Sequence, residues 1–368
     1  MPTTADYLTQ LEQDREDLVD NLETKGITGL TGDETFTELV PEVLNISGGG
    51  GGGNEAHPDF VTFRQYEGST LDISWLRTDR MTSFNNMFNY CQSLTSIDLS
   101  NFDTTNITDM SSMFNTCSAL QSADLSKFTG GAVTTLESMF SSCSNLRTIN
   151  LNGFNTSNVT NMNYFVYGCS NLQAIDLSVL NLQKLNNFRQ VFNGCASLTS
   201  IDLSSIRDKV STFNATFQGC TNLTSVTFPV IDNNTTLTNI ASMLQNCTSL
   251  QTIDLRNLKS TAIRYMGQLF YGCTNLQSVD LSNFNSVYTS ISASYVFYGC
   301  TSLTRIDMRS FTFTNIRNST SYYQGMFGTS ASDGVPDNCL IIVADDTQKA
   351  WITSRFSRLT NVKTVAEL

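Results

Sequence analysis

The sequence has few of the residues on which most enzyme active sites depend. Its 368 residues include one histidine, two tryptophans and 21 lysines and arginines. The histidine, His57, stands directly before Pro58 and close to a glycine run, so a Ser/His/Asp or Cys/His nucleophile has no well-placed base. No C-x-x-C spacing for zinc and no glycine loop between a strand and a helix for phosphate is present. We expect a protein that is not an enzyme and has no cofactor.

Charge and hydropathy limit the partners. Acidic residues number 33 and the net charge is −12, and residues 1–47 alone hold 11 acidic residues against Arg15 and Lys25. Nucleic acid is therefore not an expected partner. No run of 18 apolar residues occurs, and the opening has neither a basic segment nor an apolar core. We expect no membrane insertion and no secretory signal.

What the sequence does contain is a repeat. Nine cysteines are separated by gaps of 26, 26, 26, 26, 25, 27, 26 and 27 residues. An apolar residue, usually Phe, stands three positions before each one, and Leu stands three positions after each. Such columns are typical of a stacked solenoid, because one unit cannot bury its apolar face without neighbours. The nine are Cys91, Cys117, Cys143, Cys169, Cys195, Cys220, Cys247, Cys273 and Cys300.

Each unit divides into two halves. After the cysteine comes L-x-x-I-D-L-S, in which Ile97 and Leu99 share one face and Asp98 points to the other. This period of two predicts one short strand per coil. In the second half, apolar residues such as Met110, Met113 and Phe114 recur at spacings of three and four, which predicts a helical turn or short helix.

The unit M-F-x-x-C-x-x-L-x-x-I-D-L-S-x-F-x-T-x-x-V-T-x-M resembles the BspA-like leucine-rich repeats found in bacteria, their phages and some protists. The resemblance covers about residues 81–328. It implies an α/β repeat solenoid that presents a binding surface. Departures are Asn150 and Thr227 at the strand Asp position, "VTFPVIDNN" from Val226, and Ser330 in place of a tenth repeat cysteine.

The chain divides into four predicted parts. Residues 1–46 form an N-terminal α-helical docking or oligomerisation module, and residues 47–58, with "SGGGGGG", form a flexible linker. The solenoid occupies 59–328, its first coil beginning at "FVTFRQY". Residues 329–368 form a C-terminal strand-helix cap, with a strand from Cys339 to Val343 and a helix that carries Trp351 and Phe356.

The N-terminal module has an apolar seam in its first helix. The seam and the partner face of the second helix predict either a coiled coil, and so a homo-oligomer, or a helical hairpin. About 45 residues here resemble the N-terminal segment of structural proteins from phage tails. The oligomerisation candidates are Leu8, Leu11, Leu18, Leu22, Phe36 and Leu39.

The repeat cysteines have two interpretations. Stacked coils would hold neighbouring cysteines within disulfide range. Each cysteine, however, lies three residues from both a core Phe column and a core Leu column, where a small apolar side chain is needed. We expect buried, reduced thiols.

Acidic residues at the outward position of the strands are the first candidate ligand surface. Stacked carboxylates repel, so hydrogen bonds from Ser, Thr or backbone N–H groups, or a bound cation such as calcium, must compensate. The self-satisfied ladder is the expected arrangement, and calcium and a direct ligand surface are the alternatives. The seven candidates are Asp98, Asp124, Asp176, Asp202, Asp254, Asp280 and Asp307.

Tyrosines and arginines outside the repeat columns are the second candidate surface, since these side chains anchor many interfaces. The alternative is that several tyrosines only replace core residues. We select Arg256, Arg305, Arg309, Tyr288 and Tyr298 from a wider group that also includes Tyr164, Tyr167, Tyr265, Tyr271, Tyr295, Tyr322 and Tyr323.

We therefore expect a binding protein. The first hypothesis is a phage tail or head-fibre protein, located in the virion, that binds a host-surface protein or glycan and contacts other virion proteins through its N-terminal module. The second is a BspA-like adhesin on a bacterial cell surface. The third, from another class, is a carbohydrate-active enzyme, because the sequence is compatible with a pair of carboxylates of the glycosidase type.

Overall fold

The computed structural model describes residues 62–368, except residues 75, 208, 235 and 285–290. The predicted N-terminal module and linker, with all six oligomerisation candidates, lie outside the described residues. Tyr288 lies outside them as well. The predictions made for these parts of the chain remain predictions.

The described chain is a repeat fold of short parallel strands. In chain order the strands are β1 Thr70–Leu71, β2 Ser96–Ile97, β3 Ser122–Asp124, β4 Thr148–Asn150, β5 Ser200–Asp202, β6 Ser225–Thr227, β7 Ile231–Asn234, β8 Thr252–Ile253, β9 Leu258–Ser260, β10 Ser278–Asp280, β11 Arg305–Asp307, β12 Leu340–Val343 and β13 Val362–Thr364. An α-helix, α1, spans Asp346–Arg355, and short 3-10 helices span Phe313–Asn315, Thr320–Tyr322 and Val365–Glu367. Leucine-rich repeat architecture with few helices is thus confirmed for this part of the chain.

Every named strand pair is parallel, and pairing connects one coil to the next. The largest sheet has the order β13-β12-β11-β10-β8, and the remaining strands pair as β1-β2, β3-β4, β5-β6 and β7-β9. In β10 and β11 the register sets Val279 opposite Ile306 and Asp280 opposite Asp307. Equivalent residues of neighbouring coils are therefore neighbours in space, as the column pattern of the sequence requires.

The strands alternate as predicted. In β5, Ser200 and Asp202 are exposed while Ile201 is buried, and β3 has the same pattern around Ala123. The coil that contains Asp176 has no regular strand, although Ile175 is buried there as well. The segment "VTFPVIDNN" does more than interrupt its unit, because it contributes β7, which pairs with β9.

The prediction of a helical turn in the second half of each coil is wrong. A helix would bond its N–H groups within the coil, but here alternate N–H groups donate to the next coil. The N–H groups of Ser112 and Phe114 donate to the carbonyls of Glu137 and Met139, both at 2.8 Å. The N–H of Met113 instead closes a turn on Met110. Consecutive turns, and not a helix, produce the apolar spacing of three and four.

Left-handed backbone explains why these turns repeat. Two positions in each coil, five residues and one residue before the cysteine, have positive φ in coil after coil, as at Ser112 (55°) and Thr116 (62°). The second position is glycine in five coils, for example Gly168 and Gly194. Non-glycine residues adopt this region at a cost of about 1–2 kcal/mol. Bonding between coils must therefore hold them there.

The core consists of stacked columns. Rings of successive coils lie parallel: Phe88 is 5.1 Å from Phe114 at 12°, and Phe114 is 5.3 Å from Phe140 at 4°. Phe63 continues the column at 5.5 Å from Phe88, and its N–H donates to the Met87 carbonyl at 2.6 Å. Phe63 thus forms a first rung of the Phe column, while the start of "FVTFRQY" at residues 60 and 61 lies outside the described residues.

The C-terminal strand and helix occur close to the predicted positions. Asp345 caps α1 by accepting a hydrogen bond from the Gln348 N–H at 2.9 Å. Trp351 packs 5.0 Å from Phe313, and Phe356, directly after the helix, packs 5.1 Å from Phe327 in the last coil. Strand β13 was not predicted, and it adds a further parallel strand beyond β12.

Candidate binding surface

The aspartate column on the strand face forms a series of local turns. In each of the seven coils, Oδ1 of the Asp accepts a hydrogen bond from the backbone N–H two residues later. The distances are 2.8–2.9 Å in six coils and 3.3 Å for Asp307. Such side-chain bonds stabilise the turn that ends a strand. The carboxylates therefore have a structural role in every coil.

These hydrogen bonds stabilise the charged form of the carboxylates. The Ser100 N–H and hydroxyl hold the pKa of Asp98 below its usual value, and the Ser126 N–H does the same for Asp124. For Asp176 the Ser178 hydroxyl is the largest cause of the lowered pKa. Asn150, which replaces Asp in its coil, donates from its amide to Asp124 Oδ1 at 3.0 Å. The compensation for stacked charge thus comes partly from neighbouring coils.

The three candidate arginines lie at the C-terminal end of this strand face, beside the last aspartates. Arg256 forms an ion pair with Asp254 at 2.7 Å. Arg305 and Arg309 both contact Asp307, at 3.1 and 2.6 Å. Asp280, the register partner of Asp307, lies close enough to Arg256 and Arg309 to interact with both electrostatically. The structure brings these six candidates together as an alternating charged patch.

Burial distinguishes the two ends of this patch. The Asp307 side chain is 6% exposed, whereas that of Asp254 is 57% exposed. Burial alone would raise the pKa of Asp307, but the hydrogen bonds and charges of Arg309 and Arg305 outweigh it and lower the pKa.

Within the described ranges, no group of three His, Cys, Asp or Glu residues is placed to hold a metal ion. The calcium alternative has no support from this arrangement.

A second feature lies in the turn half of the coils, where tyrosines gather around an open cleft. The cleft has a volume of about 400 Å³ and is lined by Gln268, Tyr271, Tyr295, Tyr298 and Thr329, which we call the tyrosine cleft. Tyr271 and Tyr298 are stacked with ring centroids 5.0 Å apart at 13°. Tyr295 meets Tyr298 edge-on at 5.7 Å. All three rings are half-buried.

Polar groups in the tyrosine cleft are available to a ligand. None of the three phenol hydroxyls has a hydrogen-bond partner among the residues that the structure describes. Gln268 accepts a hydrogen bond from the Ser242 hydroxyl of the preceding coil at 3.2 Å through its amide oxygen Oε1. The hydroxyl of Thr329 donates to Asp333. Of the cleft residues, Tyr298 was a selected candidate, and Tyr271 and Tyr295 belonged to the wider group.

Gln268 and Thr329 were missed by the sequence analysis. Gln268 could have been found from its position in the repeat. Gln268 and Tyr295 both stand five residues before a repeat cysteine, and Tyr271 and Tyr298 both stand two residues before one. Thr329 belongs to the irregular last unit and had no such signal.

A second tyrosine pair occupies the same columns four coils or more away. Tyr164 and Tyr167 stand five and two residues before Cys169, and their rings meet edge-on at 5.9 Å and 65°. The Arg189 guanidinium lies 5.9 Å from the Tyr164 ring. Elsewhere, Tyr265 is 51% exposed, while Tyr322 and Tyr323 pack against the core. The core alternative thus applies to the last two tyrosines and not to the cleft.

The repeat cysteines lie inside, beneath these surfaces. All ten cysteines are free and buried. Each of the nine repeat thiols donates to the backbone carbonyl of the Phe-column residue one coil earlier, as Cys117 does to Phe88, at 3.0–3.2 Å. Burial raises the pKa of Cys220 and Cys273 to about 12. The thiols therefore serve as small apolar donors and not as nucleophiles.

Comparison with known families gives two matches. The family described as "Mycoplasma protein of unknown function, DUF285" matches residues 61–174 and 121–230. The family described as "BspA type Leucine rich repeat region (6 copies)" matches residues 188–326. A comparison with curated proteins found no match.

Solved structures with low sequence identity were also found. One is a leucine rich cell surface protein from Faecalibacterium prausnitzii A2-165, with 18% identity, a TM-score of 0.32, and coverage of 74% of this chain and 79% of that chain. Another is the pneumococcal vaccine antigen PcpA, with 10% identity, a TM-score of 0.32, and coverage of 83% and 84%. At such TM-scores the likeness carries no information about function.

No helix in the described ranges is long and apolar enough to cross a membrane. The isolated bridges Asn161↔Asn187 and Asn187↔Thr212 belong to one ladder of coils that runs into residues 188–230, where the two family matches overlap. Residues 188–326 of the chain thus match a BspA-type leucine-rich repeat region.

Proposed function

We propose that this protein is a non-enzymatic adhesin that acts at a bacterial cell surface and binds its target through the surface of its leucine-rich repeats. The observation that carries the proposal is the tyrosine cleft, in which Tyr271, Tyr295 and Tyr298 present aromatic rings on a hydrogen-bonded scaffold, with hydroxyls that bond to none of the described residues. Aromatic side chains held rigidly in this way are typical of binding hot spots.

The comparisons favour this reading over the phage hypothesis. The BspA-type match supports a surface protein, and nothing among the matches supports a virion role. An enzymatic role has no support from the strand face, where each Asp of the column accepts a hydrogen bond that completes a turn. The carbohydrate-active enzyme therefore stays an alternative without an observation in its favour.

The remaining parts of the chain complete the proposal. Residues 1–46 would dock or oligomerise the protein, residues 47–58 would act as a flexible linker, residues 59–328 would bind the target, and residues 329–368 would cover the end of the repeats. Light scattering on the full chain tests the oligomer. A Leu11→Lys, Leu18→Lys variant should dissociate it if the apolar seam is an interface, and equal masses for both proteins would contradict the seam.

Localisation and binding test the main proposal together. Mass spectrometry should find the protein enriched in washed cell envelopes of the source culture and not in gradient-purified phage particles. Purified full chain, labelled with a fluorophore on its amino groups, should bind to cells in a saturable way, with unlabelled chain as competitor. Enrichment in particles would overturn the adhesin proposal in favour of the virion hypothesis.

A further inference from the structure

We propose that the tyrosine cleft is a binding site for uncharged glycans, formed where the stacked Tyr271 and Tyr298 meet the edge-on Tyr295 beside Gln268. This inference rests on the proposed adhesive function and specifies its ligand. The cleft volume of about 400 Å³ lies within the range of small-ligand pockets, about 300–1,000 Å³. A terminal sugar or short oligosaccharide is a ligand of suitable size.

The chemistry of the lining matches a sugar. A sugar ring carries C–H groups on its faces and hydroxyls around its rim. The tyrosine rings offer apolar, electron-rich faces to the first, and the three phenol hydroxyls can donate to or accept from the second. The Gln268 amide NH₂ adds two donors. The amide oxygen of Gln268 already accepts a hydrogen bond from the Ser242 hydroxyl at 3.2 Å. Aromatic faces and hydrogen-bonding groups therefore meet at one place.

Charge argues against an ionic ligand. None of the five lining residues is charged. The carboxylate of Asp333, which contacts the lining residue Thr329, accepts hydrogen bonds from the Thr329 N–H at 2.7 Å, the Ser330 N–H at 2.6 Å and the Thr329 hydroxyl. The basic residues of the charged patch pair with aspartates on the strand face. A charged headgroup or acidic sugar would find no counter-ion in the cleft.

The cleft is held in shape by bonds between coils. The Gly272 N–H donates to the Tyr298 carbonyl at 2.7 Å, and the Tyr295 N–H donates to the Gln324 carbonyl at 3.0 Å. Gly325 makes room for the Tyr295 ring, because a Cβ on Gly325 would lie 2.5 Å from Cδ1 of that ring. Such preorganisation reduces the entropy lost when a ligand binds.

The second tyrosine pair provides a matched control. Tyr167 and Tyr298 stand at the same coil position, two residues before a cysteine, and each meets an edge-on tyrosine from position five. Alanine at either site removes a similar ring from a similar backbone. Only Tyr298 stacks on a tyrosine of the preceding coil and lines the cleft. A difference in glycan binding between the two folded variants therefore reports on the cleft.

The first experiment measures glycan binding by the full chain. An array of neutral and sialylated glycans identifies a neutral ligand, and calorimetry with that glycan compares the variants. We expect Tyr298→Ala to weaken binding at least tenfold, Tyr298→Phe to weaken it less, and Tyr167→Ala to leave it within twofold. Failure to bind any neutral glycan, or equal losses in Tyr298→Ala and Tyr167→Ala, would overturn the proposal. Circular dichroism melting confirms that each variant is folded.

The second experiment separates this inference from the adhesive function itself. Cells are treated with periodate, which cleaves the vicinal diols of sugars, or with trypsin, before labelled protein is added. Binding that is lost after periodate and reduced by Tyr298→Ala supports the glycan site. Binding that survives periodate but disappears after trypsin means that the partner is a protein, and the glycan proposal is then wrong while adhesion stands. If untreated cells bind no protein, the adhesive function itself fails.

Discussion

Arg309 holds the carboxylate of Asp307 with two hydrogen bonds, from Nε to Oδ1 at 2.9 Å and from Nη2 to Oδ2 at 2.6 Å. Arg256, which stands two residues after Asp254, binds that carboxylate in the same way, at 3.0 and 2.7 Å. The two pairs share their spacing and geometry. They differ in burial, because the Asp307 side chain is almost inaccessible and that of Asp254 is mostly exposed.

This difference predicts unequal effects of removing the arginine. Arg309→Met should lower the free energy of unfolding by about 1–3 kcal/mol, because a buried carboxylate loses a charged hydrogen-bond partner, with Arg305 compensating in part. Arg256→Met should leave the free energy of unfolding almost unchanged, since exposed ion pairs contribute little. Urea denaturation of the two variants measures both values. Equal losses would contradict the role assigned to burial.

The aspartate column predicts a distinction between Asn and Ala. Asp176→Asn keeps an Oδ1 acceptor for the Ser178 N–H, as Asn150 does for the Asn152 N–H at 3.2 Å, and should be nearly neutral at pH 7. Asp176→Ala leaves that N–H without its acceptor and should cost about 1 kcal/mol. Thermal melting of both variants provides the comparison.

The same residue predicts an acid response. The pKa of Asp176 is lowered in the folded state, so its contribution to stability is present above the unfolded value of 3.8 and is lost as pH falls through the folded value. Stability of the parent protein should fall below about pH 4 more steeply than that of Asp176→Asn. Parallel curves for the two proteins would show that the hydrogen bond does not favour the ionised carboxylate.

The buried thiols predict an alkaline response. Burial raises the pKa of Cys220 and Cys273 from 9.0 to about 12, so each favours folding as a neutral thiol. This contribution is complete below pH 9 and is lost as pH rises from 9 toward 12. The urea concentration at the midpoint of unfolding should therefore decrease as the pH rises from 8 to 10. The decrease should be smaller in Cys220→Ala. Ellman's reagent at pH 8 should find no rapidly reacting thiol until denaturant is added.

The positions with positive φ directly before the repeat cysteines predict substitutions that change stability in opposite directions. Gly219 has φ of +75°, and a Cβ there would lie 3.7 Å from its nearest neighbour, so Gly219→Ala should cost about 1 kcal/mol through the backbone alone. Ser142 has φ of +61° at the equivalent position, and Ser142→Gly should stabilise by about 0.5 kcal/mol. Chemical denaturation of both variants checks the sign. Destabilisation by Ser142→Gly would mean that its hydroxyl contributes more than the strain.

The residue columns made the strand half of the coil predictable. The alternation around Ile97 and Asp98 has only one regular interpretation, and the fixed spacing of cysteines required equivalent residues to meet in register. The turn half was not predictable in the same way. Spacings of three and four arise both from a helix and from consecutive turns. The two differ in the positive φ at residues such as Ser112 and Thr116. Serine and threonine do not predict a positive φ.

The candidate site was predictable in part for a related reason. Asp254, Asp280 and Asp307 could be assigned to one column because they follow the strand period, whereas the sequence did not predict their ion pairs with the arginines. The sequence analysis expected hydrogen bonds from Ser, Thr or backbone N–H groups to these carboxylates, but it did not specify the N–H two residues later as the donor. The tyrosine cleft joins Tyr271 to Tyr298 across two coils, and Thr329 enters it from an irregular segment where no column could be extended.

The thiol column also determines how the repeats would respond to mechanical load. Each Cys links its coil to the carbonyl of the coil before it, and the strand and turn bonds likewise connect adjacent coils. A tether pulled at the two ends would therefore open coils in sequence, each releasing about 26 residues or roughly 90 Å of extended chain. Such stepwise lengthening would absorb tension while the coils not yet opened kept their shape.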